Sequence, residues 1–330
     1  MAVAEPFYVG VTALRNAAFD RGWRKTHQAG VPVISIGNLT TGGTGKTPTV
    51  TYVAHTLAAF GACPAVILRG YKPDGHGRSD EQDLLTDLLP DTPIVADPDR
   101  VEAARRIERE HAEVDLILLD DGFQHRRLGR DLDIVLIDAT NPFGFDHVLP
   151  RGLMRERPSA LKRAHAVIVT HADLVDEEAL GELDRQIKAL HGRPPIARTA
   201  HTWSQVVDAD DQPVERTKAR VFVCVGIGNP EAFLEHAAQR FTIAGTRLLP
   251  DHADYDRQVL RDVREELERT EAEAVLTTEK DWVKLRHLLK SNPLPAAVWR
   301  PRLCIAFLEG EKELSRLLLT VVKGQKKNDQ

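Results

Sequence analysis

The chain has 330 residues, a hydrophobic share of 42%, a charged share of 28% and a formal net charge of −5. That length favours two domains over one, and the mild acidity gives no overall drive toward nucleic acid. Cys63, Cys224 and Cys304 lie far apart beside apolar runs; their odd number and the lack of a CxxC pair argue against a disulfide framework and a cysteine zinc site and predict buried free thiols in a reducing cytoplasm.

The opening stretch, "MAVAEPFYVGVTALRNAAFDRGWRK", starts near neutral and carries Glu5, which does not fit a secretory signal. Arg15 and Asn16 break its apolar run, so it is too short to span a bilayer. As a helix it puts Phe7, Val11, Leu14 and Ala18 on one face, with Arg15, Arg21, Arg24 and Lys25 as a basic rim around Trp23. Two readings stand. The helix lies on an anionic membrane surface, or its apolar face packs on the protein's own core.

Apolar runs then alternate with helical stretches. "VPVISIGN", "PAVILRG", "PIVADPD", "VDLILLDDG", "DIVLIDA" and "AHAVIVTHAD" read as strands buried on both faces, hence a mostly parallel sheet flanked by helices. This is an α/β, P-loop-type nucleotide-binding architecture. Near residue 200 the texture changes: "HTWSQVVDADDQPVERTKARVFV" has a polar turn between alternating segments, which predicts a β-hairpin linker. Strand–helix alternation resumes beyond it. The expected division is an N-terminal membrane-associating helix over 1–30, a nucleotide-binding core over 31–200, the hairpin over 201–220, a smaller α/β domain over 221–322 and a disordered tail over 323–330. No internal repeat is visible.

The octet Thr40-Thr41-Gly42-Gly43-Thr44-Gly45-Lys46-Thr47 departs from G-x-x-x-x-G-K-[ST] only at Thr40. Its glycines let backbone N–H groups turn inward on an anion, and the following helix adds its N-terminal dipole. Lys46 reaches the terminal phosphates and the Thr47 hydroxyl ligates Mg²⁺. Pro48 falls in the first helical turn, where its missing N–H costs little. A phosphate loop of this kind needs an acidic partner, and Asp120 and Asp121 end an apolar strand where open α/β sheets bind ligands. Guanine-specific relatives of such loops carry N-K-x-D after a later strand; here that place reads "VTHAD", which favours ATP over GTP.

Further motifs follow the same order along the chain: "RGY", "SDEQDLL", "LDDGFQHRRLGRDLDIVLID", "LPRGLMRER", "GIGNP", "LPDHADY" and "LTTEKDWVKL". With the glycine-rich loop they resemble the tetraacyldisaccharide 4′-kinase family of the lipid A pathway, over residues 1 to about 310. The resemblance implies a P-loop core plus a smaller C-terminal α/β domain joined by a β-ribbon. It implies ATP and Mg²⁺, a lipid disaccharide 1-phosphate acceptor, and seating on the cytoplasmic face of the inner membrane through the N-terminal helix. Carried over by motif, Lys46 and Thr47 grip ATP and Mg²⁺, Asp120 and Asp121 complete the metal shell, and Asp80 with His252 forms the pair that readies the acceptor hydroxyl. Physics suits that pairing: a carboxylate in reach takes the hydroxyl proton and an imidazole orients the carboxylate.

Some positions depart from the family pattern. Lys72 stands where the family often has glycine after "RGY", in a loop that bears on how Tyr71 faces its ligand. Arg151 stands where a small residue is usual. The basic clusters His125–Arg130 and Arg151–Arg163 are open to two readings, solvated surface charge or contact with the acceptor's phosphate; in the second, Gln124, His125 and Arg151 touch acceptor and Arg155 stabilises transferred charge. "TTEKD" (Thr277 to Asp281) reads as a helix N-cap followed by acids in the first turn. The alternative function is a P-loop switch ATPase of the partitioning or metal-delivery kind. Those proteins place a signature lysine where this chain has Thr41.

Overall fold

The computed structural model describes residues 4–70, 79–251 and 253–326. These form two compact units, residues 1–201 with 305–330, and residues 202–304. Tyr71, Lys72 and His252 lie outside the described residues. Of the thiols expected to be buried, Cys224 is buried and Cys304 half-buried, but Cys63, just ahead of the second strand, is exposed.

In chain order the first unit contains α1 (Ala4–Asp20), β1 (Val33–Asn38), α2 (Lys46–Ala59), β2 (Pro64–Leu68), α3 (Asp80–Leu88) and β3 (Ile94–Ala96). It continues with α4 (Arg100–Glu110), β4 (Leu116–Asp120), β5 (Leu132–Asp138), β6 (Ala166–Thr170) and α5 (Glu177–His191). The chain leaves along β7 (Ala197–Val207). The second unit holds β8 (Arg220–Val225), α6 (Pro230–Arg240), β9 (Thr242–Leu248), α7 (Arg257–Thr270), β10 (Ala274–Leu276) and α8 (Glu279–Leu289). The chain returns along β11 (Ala297–Glu309) to α9 (Glu311–Lys326).

Strands of the first unit lie in the order β3-β2-β4-β1-β5-β6-β7, with parallel pairing at every step. Those of the second run β11-β10-β8-β9, again parallel. Side-chain parity explains the continuous apolar runs, because alternate residues face opposite layers. Ile34, Ile36, Leu132, Ile134 and Leu136 point into a core shared with α2 (Val50, Val53, Leu57) and α9 (Leu314, Leu318, Val322). From the same strands Val33 faces α4, while Val135 and Ile137 face α5.

The C-terminal segment differs from the sequence expectation, which grouped it with the smaller domain. Residues 305–330 belong to the first unit, since β11 carries the chain back and the apolar stripe of α9 fills the layer over α2. The polar turn predicted near residue 210 sits between Val207 and Pro213, which form an antiparallel bridge.

Helix α1 also takes an orientation that periodicity alone left open. Its polar side packs on the body: Glu5 Oε1 accepts from the Val148 N–H at 3.2 Å, Tyr8 Oη donates to the Arg155 carbonyl at 3.2 Å, and Arg15 and Asn16 each donate to the buried Glu156 at 3.0 Å. The apolar side faces outward, with Phe7 76% and Leu14 67% exposed. The reading in which this face packs on the protein's own core is therefore wrong. Its polar partners had been claimed by the neighbouring segment.

Leu318 is fully buried, so Leu318→Ala is expected to cost the fold about 2–5 kcal/mol. Urea unfolding followed by circular dichroism checks this, with Leu308→Ala, at a half-exposed site, as the near-neutral control; equal midpoints would show that α9 is not part of the core.

Candidate active site

Parallel pairing sets the site. Ile36 on β1 stands opposite Asp120 on β4, so the loop after β1 leaves the sheet beside the acids after β4. In that loop Gly42 (φ +127) and Gly45 (φ +79) adopt backbone that other residues disfavour. Its inner side is pinned by buried polar contacts: Asn38 Nδ2 donates to Thr44 Oγ1 at 2.8 Å, and Thr170 Oγ1 donates to the Thr44 carbonyl at 3.2 Å. The Thr41 N–H donates to the Leu153 carbonyl at 2.7 Å, and Thr40 bridges Met154. Lys46 opens α2 with Thr47 next to it, both half-buried.

The string "DDGF" is explained by crowding. Asp121 turns the chain with left-handed backbone (φ 52). A Cβ on Gly122 would sit 2.6 Å from Ser35 Oγ, and one on Gly37 would sit 2.7 Å from Phe123 Cβ. Two glycines thus let Phe123 seat against β1, fully buried, and hold the acids level with the loop.

The two acids have split characters. Asp120 is buried; loss of solvent, with the Asp121 and Glu81 charges nearby, outweighs Lys46 and pushes its pKa up to about 7. For Asp121, burial acts the same way, but Lys46, Arg155 and Arg100 outweigh it and hold the carboxyl below its ordinary value. Lys46 Nζ lies 3.9 Å from Asp121 Oδ1, and Arg155 Nη1 donates to Oδ2 at 2.6 Å. Environments that push paired acids apart mark sites of proton and charge handling.

Asp80 is the first residue of α3, just after the capping Ser79, whose side chain accepts from the Gln82 N–H at 3.2 Å. Because Glu81 acts on Asp120 through space, the start of α3 belongs to the same charge cluster. Gln124 Nε2 donates to the Asn38 carbonyl at 2.9 Å. His125 is half-buried, and burial with Arg100 and Arg127 lowers its pKa to about 4, so at neutral pH it offers a hydrogen bond and no charge. Arg151 lies 3.5 Å from Glu5, beside α1.

Much of the basic cluster serves the fold. Arg130 pairs with Asp133 at 2.9 Å and donates to the carbonyls of His125 and Leu128. Arg126 pairs with Asp20 at 2.7 Å, Arg127 with Asp99 at 3.1 Å and Arg163 with Glu156 at 2.8 Å. Sequence reasoning missed Arg100, a buried arginine at the start of α4 that acts on both Asp121 and His125. It also missed Glu81; proximity in space was the only signal for either.

The family model for tetraacyldisaccharide-1-P 4′-kinase matches residues 1–323. The chain belongs to this family. Among relatives, the tetraacyldisaccharide 4′-kinase of Anaeromyxobacter dehalogenans (strain 2CP-C) is 38% identical, over 94% of this chain and 85% of the relative. That of Chlorobaculum parvum is 33% identical, over 97% and 94%. A crystal structure of LpxK from Aquifex aeolicus in complex with ATP superposes with a TM-score of 0.75 at 25% identity, covering 96% of each chain. The chain is thus a kinase of this family with its ATP-binding α/β fold, and the switch-ATPase alternative falls away.

The raised pKa of Asp120 has a measurable consequence. In metal-free protein the folded chain keeps this proton up to about pH 7, whereas the unfolded chain releases it near its ordinary value of about 3.9. Between those limits the folded state binds more protons, so its stability falls as pH rises. Asp120→Asn is therefore expected to melt higher than the parent by a margin that grows from pH 4 to pH 7 and then levels off. A margin independent of pH would mean that Asp120 is ionised throughout.

Proposed function

We propose that the chain transfers the γ-phosphate of MgATP to the 4′-hydroxyl of a tetraacyldisaccharide 1-phosphate, giving the bisphosphorylated lipid A precursor, at the cytoplasmic face of the inner membrane. The observation that carries this reading is the side-by-side seating of the Lys46 loop and the Asp120–Asp121 pair in a chain of this family.

Phosphoryl transfer passes through a loose transition state, so placement and charge supply most of the acceleration. In this reading the amides of Gly42 to Gly45 and the α2 N-terminus meet the phosphates, and Lys46 leaves Asp121 to bear on the developing negative charge. Thr47, Asp120 and Asp121 present hard oxygens, and Asp120 Oδ1 and Asp121 Oδ1 are buried without a hydrogen-bond partner among the described residues. That set fits magnesium, which takes one or two carboxylates plus substrate phosphates. No group of three or more His, Cys, Asp or Glu residues that could cage a metal occurs among the described residues, in keeping with an ion brought by the nucleotide. Bound there, the ion would offset charge on the bridging phosphate oxygens.

Asp80 and His252 are the acid–base pair of this reading, with Asp80 taking the hydroxyl proton; such a base contributes about 10²–10⁴-fold. Gln124, His125, Arg151 and Arg155 are its acceptor-side residues, with Tyr71. The outward row of Phe7, Val11 and Leu14, next to exposed Trp23, Arg21, Arg24 and Lys25, supports seating on an anionic lipid surface. No helix among the described residues is long and apolar enough to cross a membrane.

Incubation with Mg²⁺, γ-labelled ATP and a lipid disaccharide 1-phosphate, followed by organic extraction, is expected to move label into the lipid; label confined to inorganic phosphate would sink the reading. In the same assay Asp80→Ala should lower turnover about 10²–10⁴-fold with little change in the KM for ATP. Replacing Phe7, Val11 and Leu14 by serine should release the protein from sedimenting anionic vesicles while activity on detergent-dispersed acceptor persists. Undiminished sedimentation would rule out α1 as the lipid contact.

A further inference from the structure

Three polar side chains outside the acid cluster form a chain that ends on the phosphate loop. Asp138 closes β5, and its Oδ1 accepts from the Thr140 N–H at 2.9 Å and the Thr140 hydroxyl at 2.7 Å. Its Oδ2 lies 3.0 Å from His171 Nδ1. Burial alone would raise the Asp138 pKa, but His171 and Thr140 outweigh it and hold the carboxyl below its ordinary value. His171 directly follows β6, in left-handed backbone at φ 52, a conformation that non-glycine residues keep only where the surroundings hold it. Its two ring nitrogens face two different groups, the Asp138 carboxylate and a second histidine. Nε2 lies 2.8 Å from Nδ1 of His201 on β7, the two rings edge-on with centroids 4.2 Å apart.

Whichever imidazole donates, the 2.8 Å bond ties the His201 ring to His171, whose other ring nitrogen faces the Asp138 carboxylate. This fixes the plane of the His201 ring, whose far edge abuts the phosphate loop. A Cβ on Gly45 would sit 2.3 Å from His201 Nε2 and 2.7 Å from Cε1. Gly45 is thus required twice, for its positive φ and for the space the imidazole fills. The segment "VTHAD", which lacks a guanine-reading pair, serves the phosphate loop through His171 instead.

We propose that His201, oriented by His171 and Asp138, is a positioning residue of the phosphate loop: its imidazole backs the Gly45 turn and so sets the direction of the backbone N–H groups that meet the nucleotide's terminal phosphates. The proposal rests on the nucleotide reading of that loop and adds three residues that no glycine-rich pattern contains. A backed loop is ordered before the nucleotide arrives, whereas an unbacked one must lose its freedom on binding, and that loss appears as weaker affinity.

His201→Ala removes the backing. In calorimetric titration of the full chain, its Kd for MgATP is expected to rise about tenfold or more. The KM for ATP should rise in parallel, with kcat at saturating ATP within about threefold of the parent. His201→Gln, which keeps a polar side chain of similar reach, should recover most of the affinity. Asp138→Asn keeps the shape but removes the anion that orients His171, and should give an intermediate rise. A lowered melting temperature in His201→Ala with an unchanged Kd would overturn the proposal, as would equal losses in the alanine and glutamine variants. If His201→Ala does not fold, Asp138→Asn decides alone, and an unaltered Kd there overturns it. Because MgATP binding is read directly, a parent protein that binds nucleotide but leaves the lipid unlabelled would refute the kinase reading and not this one.

Discussion

Pairing of β1 with β4 places an amide-rich loop beside two consecutive carboxylates, and the rest of the site adjusts to that neighbourhood. A carboxylate at the buried end of β4 cannot hold its charge unaided. Asp120 has only Lys46 among its largest influences to favour ionisation, apart from one backbone hydrogen bond, and its affinity for a proton stays high. Asp121, set just past the strand in left-handed backbone, meets Lys46 and Arg155 and stays charged. The pair therefore carries one firm negative charge and one that awaits a cation. Gly37, Gly122 and Phe123 set the height of this pair above β1, so close packing and electrostatics are fixed by the same few residues.

A short strip, Gly144 to Glu156, ties the N-terminal helix to that loop. Its Leu153 carbonyl and Arg155 N–H bond to the chain around Thr40, while the Arg155 carbonyl and the Glu156 carboxylate bond to α1. Glu156 is buried and answered by Arg15, Asn16 and Arg163. Removing its partners would strand a buried charge, which is costly. The helix is therefore held by its polar residues, and its apolar row is left for another medium, as the proposed lipid surface supplies.

Local signals were readable in the sequence. Buried parallel strands announce themselves as unbroken apolar runs, and the phosphate loop and twin acids are contiguous strings whose chemistry follows from residue type. The direction faced by α1 was not readable, because periodicity reports that a face is apolar and says nothing about what covers it. The return of α9 to the first unit depends on β11, a long-range connection. Arginines in "HRRLGR" look alike in sequence, yet Arg130 braces a loop and Arg127 caps a neighbour's charge. Asp138, His171 and His201 come from the end of β5, the residue after β6 and the middle of β7, and share no spacing that would link them.

The strand ends follow a common logic. Asn38, Asp120, Asp138 and Thr170 are the last residues of β1, β4, β5 and β6, polar closures on mostly apolar strands. In a parallel sheet all such ends lie along one edge, where the helices have not yet begun to cover the layer. Three of the four find a bonded partner at that edge, Thr44 for Asn38 and Thr170 and His171 for Asp138, while Asp120 feels the nearby charge of Lys46. A polar side chain earlier in a strand needs a partner of its own, as buried Asp133 within β5 has in Arg130. The position of the four as final residues lets them stay polar, and the phosphate loop, rooted at the same edge, becomes the common partner they hold in shape.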